Sequence, residues 1–144
     1  MAPTLPAVSP SNVDVARRSY EAFERDDLDA VLADMDDEIV WEQAQGLPHG
    51  GVYHGLAEVR RNIFEPLDAE WWAEFHAVPH DFVDGGAEVV VLGRYTGRAK
   101  ETGRVLDVPY VHVWTFADGR AVRFRQFLDT AGWNAALGRD GTTA

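Results

Sequence analysis

The chain has 144 residues, 46% of them hydrophobic and 11% aromatic, enough for one domain that buries roughly two-thirds of its unfolded surface. Its formal net charge of −11 would be repelled by a phosphate backbone or an anionic bilayer, which argues against nucleic acid and membrane as partners. It has no cysteine, which removes disulfides and thiolate chemistry. The N-terminal MAPTLPAVSPS has neither the basic nor the apolar segment of a secretory signal. No apolar run reaches the length of a membrane span, so a soluble, cytoplasmic protein is expected.

Residues 1–10 hold three prolines and read as a flexible arm. Ser11 or Asn12 can then cap a helix carrying Val13, Ala16, Tyr20 and Phe23 at spacings of three and four. Arg25-Asp26-Asp27 breaks it, and Asp27 caps a short helix carrying Leu28, Val31, Leu32 and Met35. Ile39 to Gln45 reads as a strand with Ile39, Trp41 and Gln43 on one face. Gly46 to Gly55, with four glycines and Pro48 among its residues, reads as a loop. Leu56 to Phe64 returns to helical spacing, and Pro66 is expected to end that helix.

The second half carries strand signals throughout. Trp71 to Val83 is a long β stretch interrupted at Pro79, and Asp84-Gly85-Gly86 is a hairpin turn. Glu88 to Arg98 is dense in β-formers. Glu101-Thr102-Gly103 leads into Arg104 to Phe116, and Asp118-Gly119 into Ala121 to Leu128. These strands make an antiparallel meander, and Thr130 to Leu137 reads as a short closing helix. Helices first and strands after is an α+β pattern. A long twisted sheet needs a cover on its inner face, and the three N-terminal helices are the candidates. A cone-shaped, curved antiparallel or mixed sheet packed on those helices is therefore expected over residues 11–138, with 139–144 as a tail.

The run SYEAFERDDLDAVLADMDDEIVWEQ, the loop GLPHGGVYHG and the closing pair YVHVWTFADGRAVRFRQFLDTA resemble the SnoaL-like families from about Val13 to Leu137. Those families share the nuclear transport factor 2-like fold with ketosteroid isomerase and limonene epoxide hydrolase. The resemblance implies one deep pocket and a homodimer, and it implies no single reaction. The general-base Asp of ketosteroid isomerase falls at Gln43, or at Glu42 if the register slips by one. Its protonated Asp falls at His112, and its tyrosine donor at Tyr20 or one residue before. The acid/base Asp of SnoaL-type cyclases falls at Gln126. The Asp-Arg-Asp set of limonene epoxide hydrolase falls at Thr96, Arg94 and Gln126. The arginine is kept, and the carboxylates are replaced by neutral groups.

Side chains alternate along a strand, and the inward faces are expected to bring Trp41, Gln43, Arg94, Thr96, Tyr110, His112, Trp114, Phe124 and Gln126 together with Tyr20. That is an aromatic cup with a few hydrogen-bonding groups, the usual make-up of a small-molecule site. His112 is the candidate proton carrier, or a core histidine bonded to Tyr20 or Gln126. Arg94 either polarises a ligand oxygen or pairs with Glu42 or Asp129. Gln43 and Gln126 can orient but not take up a proton. Tyr53 is expected as a lid residue on the pocket rim. His49 and His54 lack a third converging ligand, so no metal is assigned. The expected function is a cofactor-free enzyme acting by proton transfer (isomerisation, cyclisation, dehydration or epoxide opening) on a hydrophobic, oxygenated small molecule. The alternative is a non-catalytic binder of such a molecule.

Overall fold

A computed structural model describes residues 10–139; all but the last residue of the expected arm, and all but the first of the expected tail, lie outside them. Helix α1 (Asn12–Glu24) is capped by the Ser11 side chain, which accepts from Asp14 N–H. Helix α2 (Leu28–Leu32) is capped in the same way by Asp27. Strand β1 (Met35–Gln43) follows at once, so Met35 begins the strand rather than ending the helix. The glycine-rich segment is not all loop. Gly51–His54 forms a short strand, β2, paired antiparallel with β1 through Trp41↔Tyr53. Gly50 and Gly55 flank the strand, and Gly51 is its first residue, paired with Gln43.

Helix α3 (Leu56–Val59) does not stop at Pro66. The coil widens into π-helical turns over Arg60–Phe64 and Leu67–Trp71, and Glu65 N–H donates to the Arg60 carbonyl. That bonding reaches one residue further back than an α-helix, and the wide turn accommodates a proline that would break the tighter one. Strand β3 (Trp72–Gly85) runs through Pro79 by means of a bulge between Pro79 and Asp81. Strands β4 (Glu88–Ala99), β5 (Val105–Ala117) and β6 (Arg120–Leu128) follow, and helix α4 (Thr130–Ala136) closes the chain, capped by Asp129.

The six strands form one sheet in the order β2-β1-β6-β5-β4-β3, antiparallel except where β1 runs parallel to β6. It is a mixed, curved sheet with the helices on its inner side. Bulges in β3 at Trp72/Glu74 and Pro79/Asp81 help bend it. So does Gly97 at φ +155°, where a Cβ would stand 2.1 Å from the Glu74 carbonyl oxygen. Along β5 every second residue from Leu106 to Phe116 is buried. Opposite them on β4 lie Val89, Val91 and Tyr95, also buried. These side chains meet those of α1, β1 and β6 in a single core. Among the described residues no helix is long and apolar enough to cross a membrane.

Candidate small-molecule site

A cavity with about 550 Å³ of empty space, its mouth included, lies between the concave sheet and the helices. Each wall has an origin in the local sequence. Tyr20 and Phe23 come from the buried stripe of α1, and Ile63, Phe64 and Leu67 from the widened coil. Trp41 and Gln43 come from alternate positions of β1, Tyr95 from β4, His112 and Trp114 from β5, and Phe124 and Gln126 from β6. Trp133 on α4 closes the set, packed edge-on against Trp72 with ring centroids 5.0 Å apart. Among the described residues no Asp or Glu lines the cavity.

At one wall of this cup the polar groups form a chain. Trp114 Nε1–H donates to the Tyr20 hydroxyl at 2.9 Å, and Tyr20 Oη lies 2.5 Å from His112 Nδ1. On the other side of the ring, His112 Nε2 lies 2.5 Å from Tyr95 Oη. Gln126 Nε2–H then donates to Tyr95 Oη at 2.8 Å. The Gln126 amide is oriented without ambiguity, because its oxygen accepts from the Ala44 backbone N–H at 3.0 Å. Burial lowers the His112 pKa to about 3, so the imidazole is neutral at physiological pH. Burial raises both phenols, Tyr20 and Tyr95, far above their usual range. The chain therefore carries hydrogen bonds and no net charge.

A second chain starts at Trp41 Nε1–H, which donates to Gln43 Oε1 at 2.9 Å. Gln43 Nε2–H then donates to His49 Nε2, also at 2.9 Å. His49 lies over Trp71, ring centroids 5.8 Å apart, and burial lowers its pKa to about 4.

Of the residues singled out from the sequence, Tyr20, Trp41, Gln43, His112, Trp114, Phe124 and Gln126 come together on the cavity wall. Arg94 and Thr96 do not. They lie on the convex side of β4, where Arg94 Nε–H donates to Asp107 at 2.7 Å rather than pairing with Glu42 or Asp129. Glu42 also faces outward and pairs with Arg123, so Gln43 is the inward residue of that pair. Tyr110 is buried behind the wall, stacked on His112 rather than lining the space. Tyr53 is no lid: its hydroxyl donates to the His49 carbonyl at 2.7 Å and holds the loop to its own strand. His112 bonds to Tyr20 and not to Gln126, although Gln126 is its register partner across the sheet.

Of the groups bonded to His112, the one that sequence reasoning missed is Tyr95. Its signal was present in the alternation of β4. Arg94 shares a parity with Val90, Leu92 and Thr96, and a charged residue in one set marks that set as the outer face. Val89, Val91, Gly93 and Tyr95 are then the inner one.

The model of the SnoaL-like domain matches residues 16–124. The chain belongs to the SnoaL-like domain family. Among solved structures, an NTF2-like protein of Burkholderia pseudomallei is 36% identical, with 90% of this chain and 98% of that one covered and a TM-score of 0.81. An NTF2-like protein of Burkholderia thailandensis is 29% identical, with 94% and 100% covered and a TM-score of 0.82. TerC, solved with polyporic acid, is 25% identical, with 88% and 98% covered and a TM-score of 0.79. No functionally curated protein shows significant sequence similarity. In this SnoaL-like chain the fold is that of the family.

Proposed function

We propose that this SnoaL-like protein is a cofactor-free enzyme that moves a proton on a hydrophobic, oxygenated small molecule held in the aromatic cup. The observation that carries the reading is the Tyr20–His112–Tyr95 chain set into a largely aromatic and aliphatic wall. A core needs no such chain, because three apolar residues of similar shape would pack there without desolvating three polar groups. A phenol hydrogen aimed at a ligand oxygen stabilises charge that develops there in a water-poor site. TerC, solved with polyporic acid, supports an aromatic, oxygenated ligand by analogy. The cavity shares Phe23, Phe64, Leu67 and Phe75 with an outer groove that carries Asp26, Asp27, Glu65, Asp68 and Glu74. Such a groove favours a neutral ligand over an anionic one.

Of the reactions the family resemblance allows, tautomerisation fits best. Epoxide opening and aldol-type cyclisation call for a general base, and among the described residues no carboxylate lines this cavity to supply one. That same lack favours the second reading, a binder with no turnover. To test the two, neutral bicyclic and tricyclic hydroxyketones are incubated with the protein in deuterated water and followed by NMR. The enzyme reading expects the carbonyl and hydroxyl carbons of the bound compound to exchange places faster with wild-type protein than with Tyr20→Phe. Binding with no enhanced exchange would leave the binder.

A further inference from the structure

The hydrogens of the His112 chain do not balance its contacts. Four contacts link Trp114, Tyr20, His112, Tyr95 and Gln126 in series. A neutral imidazole carries one N–H and one bare nitrogen. The indole N–H, the amide N–H, the imidazole N–H and two phenol O–H groups therefore supply five hydrogens for those four contacts. Trp114 can only donate, and Gln126 is fixed as a donor by Ala44. One phenol hydrogen is left over. Neither hydroxyl has a further hydrogen-bond partner among the described residues, and both phenols line the cavity.

We propose that Tyr95 is a second catalytic residue, and that Tyr20, His112 and Tyr95 form a two-ended relay whose surplus hydrogen points into the cavity from one end or the other. In the first form, His112 Nδ1–H donates to Tyr20, Tyr95 donates to Nε2, and the free hydrogen is on Tyr20. In the second, Nε2–H donates to Tyr95, Tyr20 donates to Nδ1, and the free hydrogen is on Tyr95. One turnover converts the first form to the second. Tyr20 gives its hydrogen to a substrate carbonyl oxygen and receives the Nδ1 hydrogen. Nε2 takes the Tyr95 hydrogen, and Tyr95 takes one from a substrate hydroxyl. In the substrate, the conjugated double bonds between the two oxygens shift by one position, so that carbonyl and hydroxyl exchange places. Atoms and charge balance at every site, and no ion is formed in the apolar cup. The relay is reset when a water entering the cavity takes the free Tyr95 hydrogen and gives one to Tyr20, while Tyr20 returns its hydrogen to Nδ1 and Nε2 returns its own to Tyr95.

The substrate class follows, resting on the enzyme reading above: a neutral, conjugated hydroxyketone with both oxygens on one edge, spaced to bridge the two sides of an imidazole ring. Trp114 and Gln126 are positioning residues. Each gives its tyrosine oxygen one hydrogen bond, so removing either makes that oxygen depend on the imidazole N–H.

The test uses ligand-free protein with ¹⁵N-labelled histidine, in which NMR reads the two His112 tautomers. Trp114→Phe should raise the Nδ1–H form relative to Nε2–H, and Gln126→Leu should raise the Nε2–H form. Each shift should be roughly three- to tenfold, the weight of one lost hydrogen bond. A merely structural role predicts no such opposition. Shifts in the same direction, or none, overturn the relay. Should either variant fail to fold, the wild type decides. Ring nitrogens that together carry one hydrogen from pH 5 to 8 support the proposal, and two protonated nitrogens at pH 7 overturn it. Opposite tautomer shifts without faster interconversion of the bound hydroxyketone would keep the relay and remove the enzyme reading.

Discussion

Tyr110 lies flat against His112, with ring centroids 4.0 Å apart and planes 14° from parallel, while its own buried hydroxyl has no hydrogen-bond partner among the described residues. The ring is used and the hydroxyl is not. Tyr110→Phe should therefore leave stability unchanged or raise it by up to about 1 kcal/mol, since it removes a desolvated polar group. Urea denaturation checks this. A loss of more than about 1 kcal/mol would mean that the hydroxyl is bonded in solution.

Gly93 is the residue on which Tyr110 rests. A Cβ there would stand 2.5 Å from the Tyr110 hydroxyl and 2.2 Å from the Val78 carbonyl oxygen. The second contact is backbone and cannot swing aside. Gly93→Ala should cost about 1–3 kcal/mol by overpacking, read as a lower urea midpoint. An unchanged midpoint would show that β3 and β4 can part at this point.

Acid should destabilise the protein before its carboxylates titrate. His112 and His49 have folded pKa values lowered from 6.5 to about 3 and about 4. Below pH 6.5 the unfolded chain binds protons at these sites that the native one does not, so stability falls with falling pH. Each histidine contributes about 1.4 kcal/mol per pH unit in that window. His76 works in the opposite sense, because hydrogen bonding to Glu74 raises its pKa, but it is exposed and its effect is small. The measurement is the denaturation midpoint from pH 7 to 5. A flat profile would place one or both imidazoles in water.

Arg94 is half-exposed on the convex face beside Asp107. Arg94→Ala should change stability by no more than about 0.5 kcal/mol and leave ligand affinity as it was. Isothermal titration with any ligand identified for the cavity tests it. A tenfold loss of affinity would return the arginine to the site.

Much of the fold was legible because its signals are local. The cap at Asp27, the Asp118-Gly119 turn and the alternation of Tyr110, His112, Trp114 and Phe116 each need only neighbouring residues to be understood. Strand β2 was hidden, because its pairing with β1 is set by the partner strand and the glycines around it mask the signal. The helix running through Pro66 was hidden too, since widening a turn to admit proline is favourable only when Ile63, Phe64 and Leu67 gain a core to pack against.

Residue order alone determined the class of the protein, the bounds of most of its elements to within a few positions, and part of the aromatic lining, because periodicity commits a side chain to one face. It could not determine which residues bond to which. Tyr20 and Tyr95 are separated by most of the domain in sequence and meet only through His112. Arg94 faces water because of how β4 docks onto β5. Distances between strands arise from the whole sheet's curvature and packing, so the hydrogen-bonded chain exists only once that sheet has closed.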